Sequence, residues 1–231
     1  MKKKVIKRRF KWKLFYKIIS FILIILLICF LLMNIKTKRI IISGNNYVSD
    51  NEIIKLSMYQ DYPMIFKIDK NKAINNIKSN SFIRNVNIKR NIFGTLRIIV
   101  DERVPLFYSR DKKSIIFSDI DYKSDNNYGT PILINYVPDN YYERLKSEIS
   151  KIDSSVTHLI SEIEYSPWKN NDTIIDESRF LLRMNDGNNV YINLINFSKL
   201  NNYIEIYSTL EDKKGTLYLD SSSDKISFSL F

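Results

Sequence analysis

FIRNVNIKRNIFGTLRIIVDERVP, residues 82–105, reads as a β-hairpin. Val86 and Ile88 share one face of a first strand, and Leu96, Ile98 and Val100 share one face of a second, because side chains two apart on a strand point the same way. Asn91 to Gly94 supplies the turn between them. Upstream the period changes from two to between three and four. Ala73, Ile74 and Ile77 mark a helix from an Asp69 cap to about Asn80. Ser49-Asp50-Asn51-Glu52 has the form of a capping box, in which hydroxyl and carboxylate each satisfy a backbone N–H, and Ile53, Ile54 and Leu56 then supply a buried side. Before it, Arg39 to Ser43 is a short β-branched strand that ends at Gly44-Asn45-Asn46. The order is β-α-α-β-β within about seventy residues.

Further toward the N-terminus lies IISFILIILLICFLLM, Ile18 to Met33, with no charge in it. With Leu14, Phe15 and Tyr16 it approaches the roughly 20 residues that cross a bilayer as a helix, and the span is placed at residues 18–35. Nine Lys or Arg precede it and three follow closely, so the positive-inside bias puts the N-terminus in the cytoplasm and everything after Lys36 outside. A cleaved signal peptide would need small residues just past the apolar run, and Leu31 to Lys36 offers none. An uncleaved anchor is expected.

The chain has 231 residues, 45% of them hydrophobic, with only 5 Gly and 5 Pro, which is enough for one or two ordered domains. Its formal charge of +11 is concentrated at one end. Of 36 basic residues, 12 lie before Ile40 with no acid among them, leaving 24 against 25 acidic residues in the remainder. A nearly neutral body without a basic stripe argues against nucleic acid. The basic head, residues 1–17, reads as a topogenic segment attracted to anionic headgroups. The single cysteine, Cys29, lies inside the apolar run, so the outer part holds no intramolecular disulfide and no cysteine-based metal site.

From about Leu106 the pattern is one of shorter strands with turns: Ser114 to Phe117, Pro131 to Ile134, Ile160 to Tyr165, Arg179 to Asn185 and Asn189 to Ile195. Asp186-Gly187 joins the last two as a hairpin. A helix is expected from Phe197 to Glu211, with Leu200, Tyr203, Ile204, Tyr207 and Leu210 on one side. Thr216 to Asp220 follows as a strand, and Ile226, Phe228 and Leu230 alternate as another.

The β-α-α-β-β order directly outside a membrane helix resembles a POTRA domain. IIISGNNYVSDNEI is similar to the opening of this domain in the DivIB/FtsQ family. The hairpin is similar to its close, including the run Leu96, Ile98, Val100, Glu102, Arg103 and Pro105. Gly94 stands where family members often carry a turn proline. ISEIEYSP, MNDGNNVYINL, FSKLNNYIEIYSTL and GTLYLD correspond in order to the family's β domain, so the resemblance covers nearly the whole chain. It implies an α+β protein: a basic cytoplasmic segment at 1–17, a single N-terminal transmembrane helix at 18–35, a POTRA domain at 36–105, a mixed β domain with a C-terminal helix and strand at 106–220, and a tail at 221–231.

Catalytic patterns are sparse. His158 is the only histidine, set among Val156, Thr157, Leu159 and Ile160, and a surface or structural histidine is the simpler reading. Asp119, Asp121 and Asp125 fail as a calcium loop, because Lys123 falls on a ligand position and Ser124 on the required glycine. Ser57-Met58 with Lys89 superficially imitates the Ser-Lys pair of membrane-anchored signal peptidases, but Lys89 falls on a strand and the Pro-Gly-Asp continuation expected after it is missing. A POTRA component of an outer-membrane transport system would repeat the module and end in a long-stranded barrel, which about 126 residues cannot supply.

The resemblance therefore implies a protein without catalytic activity or cofactor. It implies a single-pass type II protein of the cell membrane at the division septum, which organises septal peptidoglycan synthesis. The implied partners are the small bitopic proteins FtsL and DivIC/FtsB, and through them the septal synthases. The family's partner surface lies near the C-terminal end of the β domain, which points by position to Tyr203, Tyr207, Thr216, Leu217, Tyr218 and Leu219. That Tyr203 and Leu217 are simply core stands equally open. Binding would proceed by strand addition to an exposed sheet edge.

Overall fold

The structure, a computed structural model, describes residues 12–171, 173–211, 213–221 and 226–231. Most of the basic head, residues 1–11, lies outside them, as does part of the tail, residues 222–225.

Helix α1, Trp12–Met33, has 22 residues and is long and apolar enough to cross a membrane. At 1.5 Å per residue it is about 33 Å long, close to the thickness of a hydrocarbon core. It starts six residues before the expected span and ends two residues earlier. Trp12, Phe15 and Tyr16 contact one another in its first turns, alongside Lys13 and Lys17, the aromatic and basic mixture favoured at a membrane–water boundary. Asn34 ends it by donating Nδ2 to the Phe30 carbonyl at 2.9 Å.

The chain divides into two compact units, Met1–Glu102 and Arg103–Phe231. In the first, β1 (Arg39–Ser43) is followed by α2 (Asp50–Ser57), α3 (Lys70–Lys78), β2 (Ile83–Arg90) and β3 (Thr95–Glu102). The strands form one sheet in the order β1-β3-β2, with β1 parallel to β3 and β2 antiparallel to it. A parallel neighbour needs a crossover connection, and the two helices supply it. Leu96, Ile98 and Val100 are buried on the central strand, as the alternation requires, together with Ile53, Ala73 and Ile77 from the helices. The expected POTRA order is present.

Both helix caps form where expected. Ser49 Oγ accepts from Glu52 N at 3.3 Å, and Asp69 Oδ1 accepts from Lys72 N at 3.0 Å. The capping box, however, is only half built. The Glu52 carboxylate accepts from Asn80 Nδ2 at 2.8 Å and so ties the start of α2 to the end of α3, where a local box would have turned back to Ser49.

Glu102, the glutamate of the hairpin run, has a defined task. Its Oε2 accepts from the backbone N–H groups of Asn46 and Tyr47, both at 2.7 Å, and its Oε1 from that of Val48 at 2.9 Å. One carboxylate thus satisfies the three donors that lead from β1 into α2. Glu102→Gln puts an NH2 where one acceptor stood and removes the charge, and is expected to cost the first unit about 2 kcal/mol. A thermal melt of the full chain followed by hydrogen exchange in β1 and β3 would show it, and unchanged protection there would refute this role.

The second unit carries a nine-stranded sheet in the order β14-β13-β12-β11-β8-β7-β4-β5-β6. Its elements in chain order are β4 (Phe107–Ser109), β5 (Ser114–Ile116), β6 (Asp121–Lys123), β7 (Ile132–Leu133), α4 (Asp139–Ile149), α5 (Ser154–Thr157), β8 (Ile160–Tyr165), β9 (Trp168–Asn170), β10 (Thr173–Asp176), β11 (Arg179–Met184), β12 (Asn189–Asn193), α6 (Tyr203–Thr209), β13 (Gly215–Tyr218) and β14 (Ser227–Leu230). The small β9–β10 hairpin pairs separately. Phe107, Leu133, Ile163, Phe180, Val190 and Leu217 from the sheet form one core with Tyr142 and Leu145 of α4 and Tyr203 of α6.

Two expectations are corrected here. Residues 139–149, within the stretch read as strands and turns, form a helix, since Tyr142, Leu145 and Ile149 recur at helical spacing after Pro138 and are buried. The single helix expected at 197–211 is a 3-10 segment, Phe197–Asn202, leading into the shorter α6. The Asp186-Gly187 hairpin forms as read: Gly187 has φ +93°, and the strands pair Leu182 with Val190 and Phe180 with Ile192.

Candidate partner-binding edge

Strands β11 to β14 and helix α6 bring the six residues singled out by position into one region, but to different depths. Tyr203, Leu217 and Leu219 are core residues at 1%, 1% and 2% exposure. Tyr207, Thr216 and Tyr218 are half-buried. Alternation along β13 explains the division, because Leu217 faces α6 while Thr216 and Tyr218 face the other side of the sheet.

Polar bonds fix this frame. The Tyr203 hydroxyl donates to Asp186 Oδ2 at 2.7 Å, and burial, followed by that carboxylate, holds the phenol well above its ordinary pKa. The buried Asn188 accepts at Oδ1 from Gly215 N at 2.9 Å, joining the β11–β12 turn to the start of β13. Tyr207 stacks on Tyr203 at 6.2 Å, with Lys214 Nζ 5.1 Å over its ring. On the opposite face Tyr218 stacks on Tyr191 at 5.6 Å, and the Arg179 guanidinium lies 3.7 Å over Tyr191. Arg179 Nε is 2.7 Å from Asp220 Oδ2. These residues and Trp168 line an open cleft of about 940 Å³. Beside it, burial opposes the charge of Asp176, yet bonds from Asn193 Nδ2 and from Ser178 N and Oγ, with Arg179 nearby, keep its pKa below the usual value.

The sheet edge is not β13. Ser227–Leu230 pairs with it antiparallel, Thr216 opposite Ser229 and Leu217 opposite Phe228, so β14 is outermost. The alternation of Ile226, Phe228 and Leu230 marked this strand, but its neighbour could not be read from it. Gly215 is required by the pairing, because a Cβ there would lie 2.1 Å from Ser229 O and 2.8 Å from the Phe228 ring. Phe231 N donates to Lys214 O, so the backbone groups of Ser229 and Ser227 turn inward and those of Phe228 and Leu230 turn outward. Those outward groups are what an added strand would bond.

The residues weighed for chemistry are placed elsewhere. Ser57 is buried and donates Oγ to the Ile54 carbonyl at 2.7 Å, while Lys89 is exposed on β2. His158 is exposed. Asp119 pairs with Arg103 at 2.9 Å and Asp121 with Lys146 at 3.4 Å. Among the described residues no three His, Cys, Asp or Glu side chains converge as a metal site.

Comparison with known proteins agrees with this architecture. Residues 35–103 match the family profile described as POTRA domain, FtsQ-type. Cell division protein DivIB of Bacillus subtilis (strain 168) is 27% identical over 229 residues, covering 93% of this chain and 85% of that protein. Residues 35–103 are thus an FtsQ-type POTRA domain, and the chain is similar to DivIB over nearly its whole length. DivIB of Bacillus anthracis is likewise 27% identical, over 94% of this chain and 81% of its own. The solved major extracytoplasmic domain of DivIB from Geobacillus stearothermophilus, in its trans isomer, is 20% identical with a TM-score of 0.38, covering 48% of this chain and 96% of that one. Within this chain the run from Leu96 to Pro105 is structural throughout: three core residues, the Glu102 carboxylate that holds the first turn, the Arg103–Asp119 ion pair and a buried proline.

Proposed function

We propose that this chain is a non-enzymatic scaffold of the bacterial division machinery. Helix α1 crosses the cell membrane once with the N-terminus in the cytoplasm, residues 36–105 form the POTRA domain, and residues 106–220 form the β domain outside, to whose sheet β14 adds a strand from the segment read as a tail. At the division septum the chain binds FtsL and DivIC/FtsB and so organises the synthases of septal peptidoglycan. The observation that carries this reading is the alignment of relatives named for cell division over more than nine-tenths of the chain.

Binding is proposed to occur by strand addition beyond β14. An extended partner segment there would bond to the outward N–H and C=O groups of Phe228 and Leu230 and gain its affinity from the backbone. Tyr207, Thr216 and Tyr218 offer partly exposed side chains beside that strand, while Tyr203, Leu217 and Leu219 hold it in place from the core.

The test is co-expression of the tagged full-length chain with FtsL and DivIC from the same genome, followed by purification from solubilised membranes. Leu230→Pro removes an outward N–H without touching the bonds to β13, and is expected to weaken the complex by about tenfold or more. Tyr218→Lys, on the face beside the edge, is expected to reduce recovery as well. A complex unaffected by either substitution would move the site elsewhere on the scaffold, and no complex from the unaltered chain would end the scaffold reading.

A further inference from the structure

The end of the first unit nearest to α1 carries an apolar tip with no core to cover it. Ile92 and Phe93, at the β2–β3 turn, are 53% and 74% exposed. Polar residues are the norm at such a turn, and this one uses Asn91 Oδ1 to accept from Phe93 N and Thr95 N at 3.0 and 2.9 Å, so the ring is displayed on an ordered loop. Tyr62, 46% exposed, stands on the neighbouring 59–67 loop.

The chain that leaves α1 runs directly into this tip. Asn34 N and Ile35 N still bond back into the helix, to Leu31 O and Leu32 O, so the chain departs only at Lys36. Lys38 N donates to Gly94 O at 2.7 Å, and Thr37 N to Pro63 O at 3.0 Å. A Cβ on Gly94 would come within 2.9 Å of Lys36 O. Three residues of extended chain cover at most about 10 Å. With the apolar helix ending at Met33, Lys36 and the Gly94 turn beside it therefore lie at headgroup level, a layer roughly 5 to 8 Å deep outside the hydrocarbon.

Charge agrees with that placement. The three segments meeting here, residues 34–40, 59–67 and 89–97, carry Lys36, Lys38, Arg39, Lys67, Lys89, Arg90 and Arg97 against a single acid, Asp61. Arg90 is engaged with the carbonyls of Ile65 and Phe66, while Lys36, Lys38, Lys89 and Arg97 project into solvent. The remainder of the chain beyond Arg39 is close to neutral, so this concentration is local.

We propose that this end of the first unit is a membrane-contact site. Phe93 and Ile92 enter the interface of the outer leaflet, and Lys36, Lys38, Lys89 and Arg97 contact anionic phospholipid headgroups. The domain would then be held to the bilayer at two points, α1 and the hairpin tip, and could not swing freely about Lys36.

The inference rests on α1 crossing the bilayer, and the test separates the two. A nitroxide is attached to the full chain at the native Cys29, or, with Cys29→Ser, at Phe93→Cys or Asn46→Cys. Asn46 is exposed at the far end of β1 and serves as the aqueous reference. The protein is reconstituted in vesicles of mixed phosphatidylcholine and phosphatidylglycerol, and relaxation by oxygen and by a water-soluble nickel chelate reports depth. The expected result is a deep label at 29, an aqueous one at 46, and at 93 an oxygen-to-nickel ratio several-fold above that at 46. This excess should be lost in pure phosphatidylcholine or when Lys36, Lys38, Lys89 and Arg97 are changed to Gln together. An aqueous reading at 93 with a deep label at 29 overturns the proposal while leaving the anchor intact. A shallow label at 29 overturns the anchor itself. Depth at 93 indifferent to both charge changes overturns the headgroup contact.

Discussion

Gly44→Ala is expected to leave the first unit unfolded, or destabilised by about 4 kcal/mol or more, and hydrogen exchange of the full chain would show β1 and β3 stripped of protection. Gly44 has φ +88°, a conformation that side chains rarely adopt, and a Cβ there would stand 2.1 Å from the Val100 carbonyl oxygen. That oxygen belongs to the central strand, so relief requires β1 to lift away from β3. The same movement would pull Asn46, Tyr47 and Val48 off the Glu102 carboxylate. Two favourable features are thus lost together, in a unit whose total stability is on the order of 5–15 kcal/mol. Protection in β8, β11 and β12 should remain, since they belong to the other compact unit. Full protection across β1 and β3 in the variant would refute the argument.

The second large effect is expected from Phe180→Ala. Phe180 is fully buried near the start of β11, paired with Tyr165 on one side and Ile192 on the other, its ring 5.4 Å from that of Tyr165. Its removal leaves a cavity bounded by two strands that cannot approach each other without breaking their ladders, so the site collapses poorly. A loss of about 4 kcal/mol follows, as for other fully buried aromatic residues. The expected measurement is an earlier thermal transition with exchange protection lost in β8, β11 and β12 but kept in β3. A variant that melts like the unaltered chain would mean that this strand is not the centre of the core.

Much of the first unit was legible because its signals are local. Ser49 and Asp69 cap the helices that follow them, and the alternation from Val86 to Val100 belongs to two strands joined by a four-residue turn. Where a residue bonds beyond its own segment, local reading failed. Glu52 accepts from the Asn80 side chain, 28 residues away, and Glu102 holds donors 54 to 56 residues before it.

The six residues singled out by position lie in one region of the second unit, but their depths were not legible in the sequence. Tyr203 and Tyr207 occupy the same helical face one turn apart, and only the packing of α6 on the sheet buries the first and leaves the second half-exposed. Helix α4 escaped notice because its polar residues, Asn140, Glu143, Arg144 and Lys146 among them, outnumber an apolar stripe of three buried side chains.

By itself the amino-acid sequence determined the apolar helix, the β-α-α-β-β order of the first unit and the alternating strands of the second. Each of these depends on period, capping or turn chemistry within a few residues. Only the tertiary structure decided that β14 covers β13, and that the exposed hairpin tip meets the chain leaving the apolar helix. The physical reason is that strand pairing and chain approach are long-range choices, made by which backbone groups remain unsatisfied once the local elements have formed.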